Sequence, residues 1–393
     1  MAGIYIHVPF CKSRCGYCDF FSTVSLKKVD AYVDALQKEL EIKKELIEHL
    51  AEPITSVYFG GGTPSLLSDN QLHRILESIY QLYPIEKETE ITLEANPEST
   101  SADFARSIAS IGINRVSLGM QSLCDENLQL LGRIHTTEEV FEAVRHLRHN
   151  GITNISIDLI YGLPEGSTPL SEESMRALIE LKVPHISAYC LTYEQGTTMT
   201  MALKKGLIRT PAEDTIADEY FLLCNILRRH GYNHYELSNF SYPGKEARHN
   251  SAYWTRSPYL GFGPSAHSYL KVKKELLLGT NSIKNGDEIR FSNGNNINKY
   301  LDDIAENKSP HTFFEVLTPT DIYNEVVMLS LRTKKGINLP LFNSLFGADK
   351  QEELIRKADK FIRSNTLEIT DQHLCATENG FFVIDSCIEE LFI

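Results

Sequence analysis

Three cysteines fall within eight residues near the start of the chain: Cys11, Cys15 and Cys18, spaced C-x3-C-x2-C. Thiolates are the natural ligands of iron–sulfur clusters. Three of them on one tight loop can each take one iron of a four-iron cubane, which leaves the fourth corner open to a chelating substrate. Zinc is the competing reading, and buried structural cysteines are another. A structural zinc site takes four ligands, normally in two pairs, and no second pair follows. The remaining cysteines, Cys124, Cys190, Cys224, Cys375 and Cys387, are scattered, as buried small hydrophobes are. Other residues with chemical potential are the run Gly60-Gly61-Gly62, Glu94, Gln121 and Asp158. Glycines let a backbone come close to a ligand, but a plain turn accounts for them equally well. Asp158 could equally cap a neighbouring helix.

The elements that must position these residues alternate. Ile4–Val8, Val57–Phe59, Glu90–Glu94, Arg115–Leu118, Ile155–Ile160 and His185–Cys190 read as strands. Helical patterns lie between them: Asp30–Leu50, a helix from Ser68, Ser101–Ile111, Glu138–Asn150 and Ser171–Leu181. Six β units with helical crossovers imply a parallel α/β sheet, open or curved into a partial barrel. In such folds working residues sit at the carboxyl ends of strands. The cysteines follow strand one, the glycines strand two, Glu94 strand three and Gln121 strand four, while Asp158 lies within strand five. Past Leu191 the rhythm changes. Pro211–Arg229 reads as a helix, Tyr232–Tyr269 as an irregular aromatic region, and Asn281–Asn298 as a polar surface excursion. Asp321–Leu331 and Gln351–Arg363 read as helices, followed by a hairpin of Leu367–Thr370 with Gly380–Asp385.

The chain has 393 residues, enough for two or three domains, and 42% of them are hydrophobic, enough for a sizeable core. A formal charge of −13 repels phosphate backbones, so no nucleic-acid partner is expected. No apolar run approaches the roughly 18 residues of a membrane span. The N-terminus has no charged segment before its short apolar run, so it is not read as a secretory signal. The expected location is the cytoplasm, where thiols stay reduced.

The cysteine spacing, with aromatic Tyr17 just before the last cysteine, resembles the signature of the radical S-adenosylmethionine (SAM) superfamily. That resemblance implies a [4Fe–4S] cluster on Cys11, Cys15 and Cys18, SAM chelated at its open iron, and a partial (βα)6 barrel. Ile4-Tyr5-Ile6-His7-Val8-Pro9-Phe10, Phe59-Gly60-Gly61-Gly62-Thr63-Pro64, Glu94-Ala95-Asn96-Pro97, Ser117–Ser122, Gly132-Arg133 and Asp158–Pro164 further resemble the HemN/HemW group. These are the relatives of oxygen-independent coproporphyrinogen III oxidase. The group's SAM contacts then fall on Tyr5, Gly61, Gly62, Thr63, Glu94, Gln121, Arg133 and Asp158, with Tyr17 packing on the nucleoside. The resemblance divides the chain into a radical SAM core (1–200), a group-specific extension (201–317) and a small α+β, winged-helix-like C-terminal domain (318–393).

The chain departs from the oxidase pattern C-x3-C-x2-C-x-C, since Phe20 stands where the fourth cysteine would be. The oxidase's long segment before the cysteines is also absent here. Both features, and the H-N-x-x-Y-W segment His249–Trp254, match the haem-chaperone branch of the group. That branch implies haem as a ligand, an acceptor haemoprotein as partner, peripheral contact with a membrane through that acceptor, and no oxidase activity. Under this resemblance His249 becomes a candidate haem ligand, with Tyr253 and Trp254 against the porphyrin. The alternative is a packing motif in which His249 is hydrogen-bonded inside a turn.

Overall fold

The computed structural model describes residues 2–50, 53–278 and 281–393. Six runs rich in β-branched and aromatic residues form parallel strands: β1 (Ala2–Val8), β2 (Ile54–Gly61), β3 (Ile85–Ala95), β4 (Arg115–Gln121), β5 (Asn154–Tyr161) and β6 (His185–Cys190). They pair side by side in chain order, with a helical crossover between each strand and the next.

Helix Asp69–Leu82 illustrates why the crossovers form and where they pack. The Ser68 hydroxyl accepts from the Gln71 N–H, and the Gln71 side chain accepts from the Ser68 N–H, a reciprocal cap. Leu72, Ile75, Leu76 and Ile79 recur at helical spacing and are buried against the sheet side. Each contributes about 1.5–3 kcal/mol by leaving water. Helix Thr137–His149 is capped the same way by Thr136 and Glu139, and Gly151, with φ of +87°, turns the chain away after its end.

The sheet continues beyond the six strands. β7 (Asn233–Glu236), β8 (Asn239–Ser241), β9 (Tyr259–Phe262) and β10 (His267–Lys271) come from the aromatic region expected to be irregular. β11 (Leu276–Leu278) and β12 (Asn281–Ile283) make a separate small ribbon. β13 (Glu288–Asn293) and β14 (His311–Val316) complete a twelve-stranded sheet in the order β14-β13-β10-β9-β1-β2-β3-β4-β5-β6-β8-β7. β9 runs parallel to β1, while β8 runs antiparallel to β6. Among the described residues the edge strands β14 and β7 do not pair with each other, so the curved barrel stays open.

The Asn-rich stretch 281–298 is therefore not a surface excursion throughout. Ile289 and Phe291 point into the core at period two, and Asn293 is buried. Asn293 joins a buried network around Glu39, whose carboxylate accepts from Asn293 Nδ2 (2.7 Å), the Gly263 N–H (2.8 Å) and the Tyr300 hydroxyl (2.8 Å). Lys43 pairs with it at 2.6 Å. The network ties the first crossover helix, Val29–Ile42, to the extension.

The C-terminal residues form helices Pro319–Leu331, Leu339–Phe346 and Ala348–Arg363 and a small sheet of β15 (Ile337–Asn338), β17 (His373–Ala376) and β16 (Leu367–Thr370). The expected hairpin differs in its second strand. Leu367–Thr370 pairs with His373–Ala376 across a two-residue turn, and Gly380–Asp385 falls at the junction of two short helices. The turn residues Asp371 and Gln372 both have positive φ. No Gly or Asn marks that turn in the sequence, although such turns favour them. No helix among the described residues is long and apolar enough to cross a membrane.

Candidate cluster and cofactor site

The loop after β1 carries the cysteines and is tied at both ends. The Cys11 N–H donates to the Thr23 carbonyl at 3.0 Å, and the Thr23 N–H to the Pro9 carbonyl at 2.7 Å. At its middle, the Gly16 N–H donates to the Leu131 carbonyl at 3.1 Å, and the Gly16 carbonyl accepts from the Met199 N–H at 2.9 Å. Cys11, Cys15 and Cys18 are half-buried and line a cavity of about 870 Å³ at the carboxyl ends of the strands.

Two donors are directed at the sulfurs. Thr63 Oγ1 lies 3.6 Å from Cys11 Sγ, and Arg133 Nη1 lies 3.6 Å from Cys15 Sγ. Among the described residues no group of three His, Cys, Asp or Glu is placed to hold a single metal ion.

Tyr17, Gly61, Gly62, Thr63, Glu94, Gln121, Arg133 and Asp158 all line this cavity. Glu94 accepts from the Tyr58 hydroxyl at 2.7 Å and from the Gly61 N–H at 3.2 Å. Burial pushes its carboxyl up to about 7, opposed by the Tyr58 bond and reinforced by the charge of Asp158. Asp158 accepts from the Ser117 hydroxyl at 3.0 Å, and burial raises its carboxyl too, against the Ser187 and Ser117 bonds and the charge of Arg115. A half-buried pair of reluctant carboxylates is relieved by a cation, and SAM brings a sulfonium and an ammonium.

The glycines and Arg133 also have partners within the protein. A Cβ on Gly62 would meet the Phe10 carbonyl at 2.6 Å and the Val8 carbonyl at 2.9 Å. The Gly62 and Thr63 N–H groups are already spent on Val8 and Phe10 (2.8 and 2.7 Å). Gly61, at φ of +105°, leaves room only for the His7 ring. These glycines let the loop after β2 lie against the cysteine loop. Arg133 Nη2 donates to Asn96 Oδ1 at 2.8 Å and to the Gly119 carbonyl at 2.9 Å, which holds its head beside Cys15. Tyr5 is set one layer further in, behind Tyr58 (ring centroids 6.2 Å apart), and its hydroxyl donates to His7 Nδ1 at 3.2 Å. The His7 Nε2–H donates to the Phe21 carbonyl at 2.9 Å.

His249 is hydrogen-bonded through both ring nitrogens. It is 2% exposed. Nδ1 pairs with Ser56 Oγ and Nε2 with the Tyr253 hydroxyl, both at 2.9 Å. Its ring stacks on Tyr58 at 5.0 Å, and burial, with the charge of Arg115, lowers its pKa to about 3. An iron could reach either nitrogen only by displacing Ser56 or Tyr253.

Sequence reasoning missed Tyr58 and Arg115. Tyr58 was signalled by period two, since it alternates with the core residues Val57 and Phe59. Arg115 is 1% exposed, and its charge acts on both Glu94 and Asp158. Its only signal was a charge heading an otherwise apolar strand. At the cavity mouth, Phe382, Val383 and Asp385 from the C-terminal unit form part of the lining, with Phe382 5.4 Å from Tyr220. Phe20, 63% exposed, also lines it.

The radical SAM superfamily model matches residues 5–182, and the HemN C-terminal domain model matches residues 317–383. The chain is 33% identical over 390 residues to the haem chaperone HemW of Lactococcus lactis, covering 99% of this chain and 97% of that one. It is 32% identical over 350 residues to HemW of Bacillus subtilis, covering 88% and 87%. Among solved structures, the radical SAM enzyme coproporphyrinogen III oxidase (HemN) of Escherichia coli superposes with a TM-score of 0.82 at 22% identity, covering 100% of this chain and 90% of that one. That likeness speaks for the fold. With the cysteine loop, the open parallel barrel and the near-full-length kinship together, the chain belongs to the HemW family of the radical SAM superfamily.

Proposed function

We propose that this protein is a haem chaperone, which binds haem and passes it to an acceptor haemoprotein. The observation that carries the reading is the kinship, over nearly the whole length, with proteins named haem chaperone HemW. Phe20 supports it, since the oxidase pattern places a cysteine there. We assign the [4Fe–4S] cluster to Cys11, Cys15 and Cys18. Such a cluster, when bound, supplies an open iron for SAM and an electron for its cleavage.

The side chains around it divide by task. Glu94 and Asp158 hold the cationic groups of SAM. Gln121, Thr63 and Tyr17 contact it from the rim. Gly61, Gly62, Arg133 and Tyr5 act by setting the two loops and the floor. His249 positions Tyr58 through their stack. The protein works in the cytoplasm and meets a membrane only where its acceptor sits on one.

The fold likeness to coproporphyrinogen III oxidase favours a second reading, oxidative decarboxylation of coproporphyrinogen III. The deciding experiment is anaerobic incubation of reconstituted protein with coproporphyrinogen, SAM and reductant. The chaperone reading expects no protoporphyrinogen; steady turnover would make the protein an oxidase.

A further inference from the structure

A second cavity, of about 980 Å³, shares Phe381 as a wall with the cluster cavity. Its size is at the upper end of small-molecule sites, which are mostly apolar with a few placed polar groups. Leu341 and Leu345, one turn apart on helix Leu339–Phe346, line it while 58% and 55% exposed. Phe342 and Val326 extend the same apolar wall. Trp254 also lines it, and its indole N–H is buried without a hydrogen-bond acceptor. Such an orphaned donor costs about 1–3 kcal/mol unless something supplies an acceptor. Exposed Lys334 and Lys335 flank the cavity, and no ion pair engages either among the described residues. An apolar wall beside two unpaired ammonium groups and an unpaired N–H suits a broad apolar molecule that carries carboxylates.

One further residue adds a metal. His373, at the start of β17, lines the same cavity. Its Nδ1–H donates to the Asp371 carbonyl at 2.8 Å, which fixes the tautomer and leaves Nε2 as an acceptor. The neighbour of Nε2 is the Asn338 amide nitrogen at 3.1 Å, on an exposed side chain. A backbone carbonyl holding one imidazole nitrogen is how proteins orient a metal-ligating histidine, and iron reaches Nε2 by displacing the exposed Asn338 amide. At His249 the partners to be displaced are Ser56 and Tyr253, inside the barrel, rather than an exposed amide.

Resting on the haem reading above, we propose that haem occupies this second cavity. His373 Nε2 ligates the iron, the macrocycle lies against Leu341 and Leu345, and the propionates meet Lys334, Lys335 and the Trp254 N–H. SAM and haem then sit in separate chambers divided by Phe381.

The test is an absorbance titration of cluster-loaded full-length protein with ferric haem. Wild type should bind one haem per chain with a shifted Soret band. His373→Ala should lose the axial-ligand signature, and free imidazole should restore it. The double variant Lys334→Glu/Lys335→Glu should keep the band position but bind about tenfold more weakly, as reversing two rim charges implies. The altered residues lie at the surface or cavity rim, and unchanged SAM affinity checks that the variants are folded. Wild-type haem binding with an unaltered spectrum and affinity in both variants overturns this site while the chaperone reading stands. A wild type that binds no haem overturns both.

Discussion

Glu94 shows how much chemistry rests on one side chain. Burial pushes its carboxyl up to about 7. Below that pH it carries a proton and cannot pair with a cation; above it the charge is present. SAM affinity of cluster-loaded protein should therefore rise about tenfold between pH 6 and pH 8 and then level off. Glu94→Gln should bind SAM more weakly and lose most of that dependence. A flat wild-type profile would mean that Glu94 does not face the ligand's charge. Asp158→Ala should weaken SAM binding with the iron content unchanged. Gly62→Val should differ in kind, because its side chain would strike Phe10 and Val8 in the protein itself. It should lose iron as well as SAM, as iron analysis after reconstitution will show. Cys15→Ala should lose the cluster's roughly four irons, since a cubane on three thiolates cannot spare one, whereas Cys124→Ala and Cys375→Ala should keep them.

Among the elements, the buried Glu39 network holds the barrel's first helix to the extension. Removing one partner of a buried pair leaves an uncompensated charge, so Lys43→Met should lower unfolding stability by about 3–5 kcal/mol, read by denaturant titration. A loss under 1 kcal/mol would mean that the network is solvated. This network also marks the limit of sequence reading. The six strands and their crossovers were legible, because apolar runs of period two and 3.6 alternate cleanly there. The cysteines, Glu94, Gln121 and Asp158 were legible for the same reason, since parallel strands deliver their carboxyl ends to one place. β13 was not legible, because its two core residues, Ile289 and Phe291, lie among asparagines. The β16–β17 turn lacked its usual residues. The surroundings of His249 were not legible, because its ring bonds to Ser56, about two hundred residues earlier, and feels the charge of Arg115. No local pattern encodes those contacts.

At the scale of the whole molecule, the chain keeps its cysteine loop, the carboxylates Glu94 and Asp158 and the second cavity around one open sheet, with the C-terminal unit lining both chambers. Phe381 is the part they share, and it packs against His234 at 5.0 Å. A carrier needs its cargo near solvent, and the second cavity is edged by exposed leucines and lysines. The cysteine-lined cavity instead holds the half-buried carboxylates Glu94 and Asp158. The measurement that tests the central claim most directly is a titration of anaerobically reconstituted wild-type protein with haem, followed by absorbance and by haem and iron analysis of the isolated complex. The account predicts saturation at one haem per chain, a Soret band displaced from that of free haem, and about four cluster irons retained beside it. A spectrum indistinguishable from free haem, with no haem surviving gel filtration, would contradict it.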